Sequence, residues 1–331
     1  MEEKKKLIAL VSGGLDSLLS VMLAKNMGFK IIPVHIETPF NSTCCRDLSL
    51  LNSFLKKEGL ELINIKVERE YVEIVRHPKY GYGRALNPCI DCRIFFFKIA
   101  KYIMDKEGAV GIVTGEVVGQ RPKSQNIKAM KIIERESGLE GRVLRPLSGG
   151  IMPPTELIKE GLIDPSKLLK IKGRSRKMQI KLARELGLKE IPGSSGGCLL
   201  TYVPYARKLE DLFSNDDHYT MEDIYLLKIG RHFRLSKNSK VIVGRNYFEN
   251  KELEKATGYT KIIPENCNGP VGLFRGDESF LSLAADIVAS YCDGDLGIKI
   301  SLLISGEGKS FRIETSKKDK TLYRKYMVSL K

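Results

Sequence analysis

The sequence predicts an α/β protein built on a parallel sheet, followed by a smaller α+β domain. Three observations carry this. Over the first 150 residues short apolar runs alternate with helical patterns, which builds βαβ units and a parallel sheet. The first run, Leu7 to Val11, breaks into Ser12-Gly13-Gly14 and passes at once into a helical stretch from Ser17 to Ala24. From about residue 206 the pattern changes to short helices and short strands, Leu209 to Phe213, Met221 to Leu227, Val241 to Val243 and Gly297 to Ile304.

In order, Lys30 to Ile36 reads as a second parallel strand, Arg46 to Lys57 as a helix with Leu48, Leu51 and Leu55 at helical spacing, and Leu60 to Val67 as a third strand. Cys89 to Met104 is predicted helical and Val110 to Thr114 a further buried strand. Ligands of such sheets sit at the carboxyl ends of the strands. That places His35, Glu37 and Thr38 near a nucleotide, although a strand-end histidine is equally a structural residue. Residues 153–191 read as helical and basic, with Lys167, Lys170, Lys172, Arg174, Arg176, Lys177, Lys181 and Arg184, either a phosphate grip or a solvated face. The expected division is 1–150, 151–205 and 206–331.

At 331 residues two or three domains fit, and 42% hydrophobic content is that of a globular chain. No apolar run is long enough to span a membrane and the start has no signal-peptide pattern, so the expected location is the cytoplasm. Lys and Arg number 55 against 40 Asp and Glu, a net +15. A surplus of that size points to nucleic acid, whose phosphates bind such surfaces by releasing counterions. Seven cysteines, at 44, 45, 89, 92, 198, 267 and 292, suggest metal or catalytic chemistry more than disulfides in that compartment. Cys44 and Cys45 read as bystanders, and Cys267 and Cys292 as separate packing residues.

Two glycines at a strand-to-helix turn let backbone N–H groups close on an anion, and the helix adds its positive end. Ser12 and Ser17 add hydroxyls, and Asp16 is suited to orient Mg²⁺ or a donor of the loop. No Gly-Lys-Ser/Thr follows, so this is not a Walker A loop. Ser12-Gly13-Gly14-Leu15-Asp16-Ser17 resembles the pyrophosphate loop of the PP-loop ATP pyrophosphatases, which adenylate a substrate oxygen. Thr114-Gly115-Glu116-Val117-Val118-Gly119-Gln120 through Ser124-Gln125, then Arg145-Pro146-Leu147, resemble segments of the tRNA 4-thiouridine synthetases. Val243-Gly244-Arg245-Asn246 with Glu249-Asn250 looks like the RNA-binding module of NFACT-type proteins. The resemblance implies an adenine nucleotide alpha hydrolase-like, Rossmann-like sheet. ATP would lie on Ser12, Gly13, Gly14, Asp16, Ser17, His35, Gly115 and Gln120.

Asn87-Pro88-Cys89-Ile90-Asp91-Cys92 reads as a helix start with Asn87 as cap and Pro88 in the first turn. Cys89 and Cys92 then share one face, where the helix end lowers a thiol's pKa. Phe95-Phe96-Phe97 behind them reads as core. The spacing Asn-Pro-x-x-x-Cys resembles the first cysteine of the tRNA 2-thiouridylases at Cys92, with the second at Cys198, and Cys89 departs from that pattern. A C-x-x-C with one remote cysteine instead resembles the cluster-dependent tRNA thiolases, in which three cysteines hold a [4Fe–4S] cluster with one open iron. A zinc site, with His77 conceivable as a fourth ligand, and a redox pair are the competing readings.

Together these resemblances imply an ATP-dependent tRNA uridine sulfurtransferase that uses Mg²⁺ and takes sulfur from sulfide or a cysteine desulfurase. Cys92, Cys198 and Asp16 are its expected catalytic residues, and Cys89, Cys92 and Cys198 its cluster ligands. The alternatives are a two-cysteine persulfide mechanism, another PP-loop adenylating ligase acting on RNA, and a non-catalytic RNA-binding protein.

Overall fold

Strand β1 (Lys6–Leu10) is the middle of the first sheet because both its faces are apolar: Leu7 and Ala9 enter the core with Val11 while Ile8 is also fully buried. The computed structural model describes residues 4–41, 48–188, 190–192, 198–306 and 308–330. Around β1 stand β2 (Lys30–Glu37), β3 (Ile63–Lys66), β4 (Gly111–Thr114) and β5 (Val143–Leu144), in the order β3-β2-β1-β4-β5 and parallel throughout. Helices α1 (Leu15–Asn26), α2 (Ser49–Lys57), α3 (Arg69–Arg76), α4 (Cys89–Glu107) and α5 (Ile127–Ser137) connect the strands. The chain runs outward from β1 through β2 and β3, then returns to β4 on the other side. The strand order therefore reverses between β1 and β4, where such sheets leave a crevice at their carboxyl edge.

Three sequence expectations change. The third strand is shorter than Leu60 to Val67, since only Ile63–Lys66 pairs with β2 at an exposed sheet edge. Residues 153–191 are not a continuous helical region. Among the described residues they hold α6 (Glu156–Lys159), a 3-10 turn (Pro165–Lys167) and α7 (Lys177–Glu185), because Pro153, Pro154, Pro165 and the left-handed Gly161 and Gly173 interrupt any longer helix. The exposed Lys170, Lys172 and Arg174 fall on the connection before α7 rather than on a helix face.

The chain divides into two compact units, Met1–Leu199 and Leu200–Lys331. An expected boundary at 205/206 would cut helix α8 (Val203–Asn215), and residues 151–199 join the first unit. The second unit continues with α9 (Met221–Leu226), β6 (Arg231–Arg234), β7 (Lys240–Val243), α10 (Tyr247–Lys255), β8 (Thr260–Pro264), β9 (Gly272–Arg275), α11 (Leu281–Ala289), β10 (Lys299–Gly306) and β11 (Lys309–Ser316). Its strands form one antiparallel sheet, β11-β10-β8-β9-β7-β6, whose apolar face packs on Ala284, Ala285 and Val288 of α11. Buried Asp223 organises the opposite side. It caps α9 through Thr220, pairs with Lys240 at 2.7 Å and Arg275 at 2.9 Å, and accepts from the Tyr259 hydroxyl. Burial alone would raise its carboxyl; Lys240 and these donors hold it well below the usual range instead.

Cys267 and Cys292 are packing residues, as expected, but they do not stand apart. They neighbour one another in the core of this unit, where burial and the Cys267 thiol push Cys292 up to about 12.

Candidate active site

The turn after β1 is held by its own side chains. The Ser12 N–H donates to Ser17 Oγ at 3.3 Å, the Gly14 N–H to Ser12 Oγ at 3.4 Å, and Ser17 Oγ to the Gly14 carbonyl at 2.7 Å. Gly13 takes a left-handed φ of 75°, the conformation that lets the chain double back into α1. Just past the neighbouring strand β4, Gly115 abuts this turn so closely that a Cβ would stand 2.5 Å from the Asp16 carbonyl carbon and the Ser17 nitrogen. Gln120, in the loop beyond, donates from Nε2 to Asp16 Oδ2 at 2.8 Å. Asp16 Oδ1 is left buried with no hydrogen-bond partner, an uncompensated acceptor of the kind a cation or ligand satisfies.

These groups line a cavity of about 230 Å³ at the carboxyl edge of the sheet, between the ends of β1, β2 and β4. Of the residues singled out from sequence, Ser12, Gly14, Asp16, Ser17, His35, Gly115, Gln120, Cys89, Cys92 and Cys198 all line it; Gly13 shapes the turn without lining it. Thr38 is in the wall and Glu37 is not. His35 joins its Nδ1 to the Val11 carbonyl at 2.9 Å, tying the end of β2 to the start of the loop. His77, the conceivable fourth zinc ligand, is exposed after α3 and lies outside the cavity. Cys44, Cys45 and the glycine-rich residues 193–197 before Cys198 lie outside the described residues.

Helix α4 begins at Cys89, as expected, but its cap falls one residue later than the sequence suggests. Pro88 is the cap position and Asn87 makes no capping bond. The Asn87 carbonyl accepts from the N–H groups of Gly83 and Cys89 instead, and Asn87 is a buried part of the cavity wall. Cys198 is brought to the same wall by its backbone bridge to Asn41, reinforced by the Leu199 N–H donating to the Phe40 carbonyl at 2.9 Å. Tyr71 of α3 lies among the thiols, close enough to Cys92, Cys198 and Cys89 to feel all three.

The thiol pKa values move opposite to expectation. Burial pushes Cys92 up to about 11 against the pull of Tyr71 and Arg93, and raises Cys89 against Arg121 and Arg93. A helix end is worth at most about 2 kcal/mol, whereas burial can shift a pKa by several units, so desolvation wins. Burial and the same three cysteines hold Tyr71 well above its ordinary value.

Residues not singled out as site groups complete the arrangement. Glu116 is only 1% exposed and accepts from Arg145 Nε at 2.9 Å, while Arg93 Nε stands 3.4 Å from its other oxygen. Arg145 also pairs with Glu134. Burial would raise Glu116, yet Arg145 and Arg93 outweigh it and keep the carboxylate ionised below its usual range. Arg93, one residue beyond Cys92, is thereby fixed in the cavity wall with Arg121, Ser124 and Gln125; the buried Gln125 Oε1 has no hydrogen-bond partner. Phe97 is core, as expected, but Phe96 lines the cavity and both Phe95 and Phe96 lie 5.8 Å from the Tyr71 ring. Arg93 and Tyr71 carry no local sequence signal, since only the fold turns them toward the loop.

No group of three or more His, Cys, Asp or Glu is disposed around a single metal ion among the described residues. A single zinc needs all its sulfurs about 2.3 Å from one point. An iron–sulfur cluster binds each thiolate to a different iron and leaves the sulfurs further apart, so three cysteines around one cavity are a donor set that fits it.

Comparison with known proteins divides the chain in the same way. Residues 3–154 match the family model described as "Thiamine biosynthesis protein (ThiI)", and residues 230–327 match that of the "NFACT protein RNA binding domain". A "Probable tRNA sulfurtransferase" of Thermococcus kodakarensis is 32% identical over 165 residues, covering 49% of this chain and 40% of the relative. A "tRNA-specific 2-thiouridylase MnmA" of Proteus mirabilis is 31% identical over 142 residues, 38% of each. The chain thus spans two fifths or less of these relatives' length. Among solved structures, a 4-thiouridine synthetase–RNA complex with bound ATP aligns over 55% of this chain and 50% of that one, at 23% identity and a TM-score of 0.36. A ThiI-type PP-loop domain followed by an NFACT-type RNA-binding domain is therefore what the two halves resemble, as the sequence motifs imply.

Proposed function

We propose that this chain is an ATP-dependent tRNA uridine sulfurtransferase. The observation that carries the reading is a single cavity lined at once by the Ser-Gly-Gly-Leu-Asp-Ser loop, Gly115 and Gln120, and by the thiols of Cys89, Cys92 and Cys198. An adenylating ligase that forms an amide needs the first set and has no use for the second. The names of the relatives, tRNA sulfurtransferase and 2-thiouridylase, agree with it.

The positive end of α1 and the Ser12 hydroxyl suit the pyrophosphate end of ATP, while the bonds made by Ser17 and by the Ser12 and Gly14 N–H groups hold the loop in shape, and the free Asp16 Oδ1 suits a Mg²⁺ ion beside it. In this reaction the uridine carbonyl oxygen attacks the α-phosphorus and pyrophosphate leaves. Sulfur from the donor then adds to the activated ring carbon, and AMP departs with the former carbonyl oxygen. Arg93 and Arg121, both in the wall, offset the negative charge that builds up in each step, and fixed geometry supplies most of the acceleration. Cys89, Cys92 and Cys198 would hold a [4Fe–4S] cluster, which when bound supplies an open iron for the incoming sulfide. The raised pKa values of Cys89 and Cys92 mean that these two thiols give up protons on ligation.

The second reading is a persulfide on Cys92 or Cys198 with the other cysteine resolving it, which leaves Cys89 dispensable. Mass spectrometry of tRNA nucleosides from a deletion strain tests the activity: a thiolated uridine should disappear and return with the intact gene. Anaerobic reconstitution tests the cysteines. It should give about four irons per chain, falling sharply in Cys89→Ala, Cys92→Ala and Cys198→Ala alike. Thiolation by all three alanine variants defeats both cysteine readings, and loss confined to Cys92→Ala and Cys198→Ala selects the persulfide.

A further inference from the structure

Helix α10 starts with two aromatic residues that the fold does not use. Tyr247 is 67% exposed and Phe248 80%, while the helix turns Glu249 and Leu253 inward. The two rings meet edge-on with centroids 5.9 Å apart, forming an open aromatic step. Lys251, one turn on from Tyr247, sets its ammonium 5.8 Å from that ring. Arg245, which precedes the helix, is half exposed and braced by Glu249 at 2.8 and 3.0 Å.

Further cations back this step. Arg231 donates to the Gly244 carbonyl at 2.9 Å and lies over the Tyr291 ring, and Lys208 donates to the carbonyls of Leu227 and Gly230 at 3.2 and 3.0 Å. Both spend their hydrogen bonds on main-chain carbonyls rather than on carboxylates. Lys208, Arg231 and Arg245 therefore share one turn with Glu249; burial first, and then the Arg245 charge, bring the Lys208 ammonium down to about 8. Cations interleaved with exposed rings are what unpaired nucleotides require, since phosphates take the charges and bases take the rings. A patch made for protein docking would be apolar at its centre and depleted in charge.

We infer that Tyr247 and Phe248, flanked by Arg245 and Lys251, form a stacking site for unpaired bases of RNA. The inference rests on the reading of this unit as RNA-binding and locates the contact within it. Base stacking depends little on base identity, so the site selects single-stranded over duplex segments rather than one sequence.

The test uses the full chain, a fluorescein-labelled oligoadenylate, and an RNA duplex of equal length. Stacking on one ring is worth roughly 5- to 150-fold in affinity. Tyr247→Ser with Phe248→Ser should therefore weaken the single strand at least about tenfold, leave duplex binding unchanged, and keep the melting temperature, because both rings are exposed. Lys251→Gln should lower the log–log salt slope for the single strand by about 0.7. Because the chain has no tryptophan, Phe248→Trp supplies a single reporter whose fluorescence should be quenched as oligoadenylate binds. If the unaltered chain binds RNA and the double-serine variant binds it equally, with no quenching in Phe248→Trp, the stacking site is wrong while the RNA-binding reading stands. An equal loss on single strand and duplex also overturns stacking. Failure of the unaltered chain to bind either RNA overturns the RNA-binding reading and this inference with it. Unchanged RNA affinity with loss of self-association would reassign the rings to a contact between copies.

Discussion

Replacing Gly115 by alanine is the most direct probe of how the sheet positions the nucleotide loop. An added Cβ would stand 2.5 Å from the Asp16 carbonyl carbon and the Ser17 nitrogen and 2.6 Å from the Asp16 oxygen. Ordinary contact begins near 3.4 Å, so the loop or the end of β4 must retreat by about 0.9 Å, and the atoms in the way are backbone that cannot rotate aside. Overpacking of this kind costs about 1–3 kcal/mol. The functional effect is larger, because a shift of about 1 Å in a positioned group is worth about a hundredfold in rate. Calorimetric ATP titration of Gly115→Ala should show at least about tenfold weaker binding, with a melting temperature lowered by a few degrees. Gly108→Ala is the matched control. Its left-handed φ of 62° also strains an alanine, but its Cβ meets nothing, so it should lose stability and keep ATP affinity. ATP binding unchanged in a measurably destabilised Gly115→Ala would refute the loop as the triphosphate site.

Further outcomes follow from buried charges. Glu116→Ala takes away the carboxylate shared by Arg145 and Arg93 and leaves buried Arg145 to Glu134 alone, so chemical denaturation should show a loss of about 1–3 kcal/mol. A loss under about 1 kcal/mol would contradict the placement of Arg145. Burial, with the Lys208 charge nearby, holds His232 well below imidazole's usual value, and its Nε2–H is donated to the carbonyls of Leu226 and Ile229. The unfolded chain takes up this proton near pH 6.5 and the folded chain does not, so stability is full above that pH and falls as pH drops, by at most about 1.4 kcal/mol per unit. Melting between pH 7.5 and 5 should show that fall, lessened in His232→Asn relative to its own value at pH 7.5; equal slopes in the two proteins would exclude His232 as its source. Affinity for tRNA should drop with rising salt, with a log–log slope of about −0.7 to −0.9 for each phosphate contacted, and a salt-independent affinity would remove the surplus charge from the account.

What the sequence made legible here was what local chemistry determines. Leu7 to Val11 is apolar on both faces and can only be a central strand; two glycines and a serine can only be the turn that follows it. Cys89 and Cys92 three apart at the start of a long helix must share a face. Where tertiary burial competes with a local preference, the local reading fails. The helix end at Cys92 predicts an acidic thiol, but Tyr71, Phe96 and the surrounding wall remove the water that a thiolate needs, and the pKa rises. Asn87 has the residue type and position of a cap, yet its carbonyl serves Gly83 and Cys89, and Pro88 takes the cap position. The basic run after residue 153 has helical composition, but prolines and left-handed glycines divide it.

The arrangement of the site follows from one topological fact that no stretch of sequence states. Because β4 pairs with β1 on the side away from β2, the loop that follows β4 returns over the start of α1. Gln120 then reaches Asp16, and Glu116, fixed by Arg145, faces Arg93 on the first turns of α4. The Gly-Glu and Gly-Gln pairs and the Arg-Pro-Leu element are thus the joints between the nucleotide loop and the helix that carries Cys89 and Cys92. Two of these joints are ionic: the Arg145–Glu116 pair is buried, and moving α4 would take from the partly exposed Arg93 its carboxylate partner. In the proposed reaction the ring carbon whose oxygen is activated at the loop must come within bonding reach of sulfur delivered at the thiols. Joining the loop and α4 through Glu116, Arg145 and Arg93 holds that geometry in place before any substrate binds.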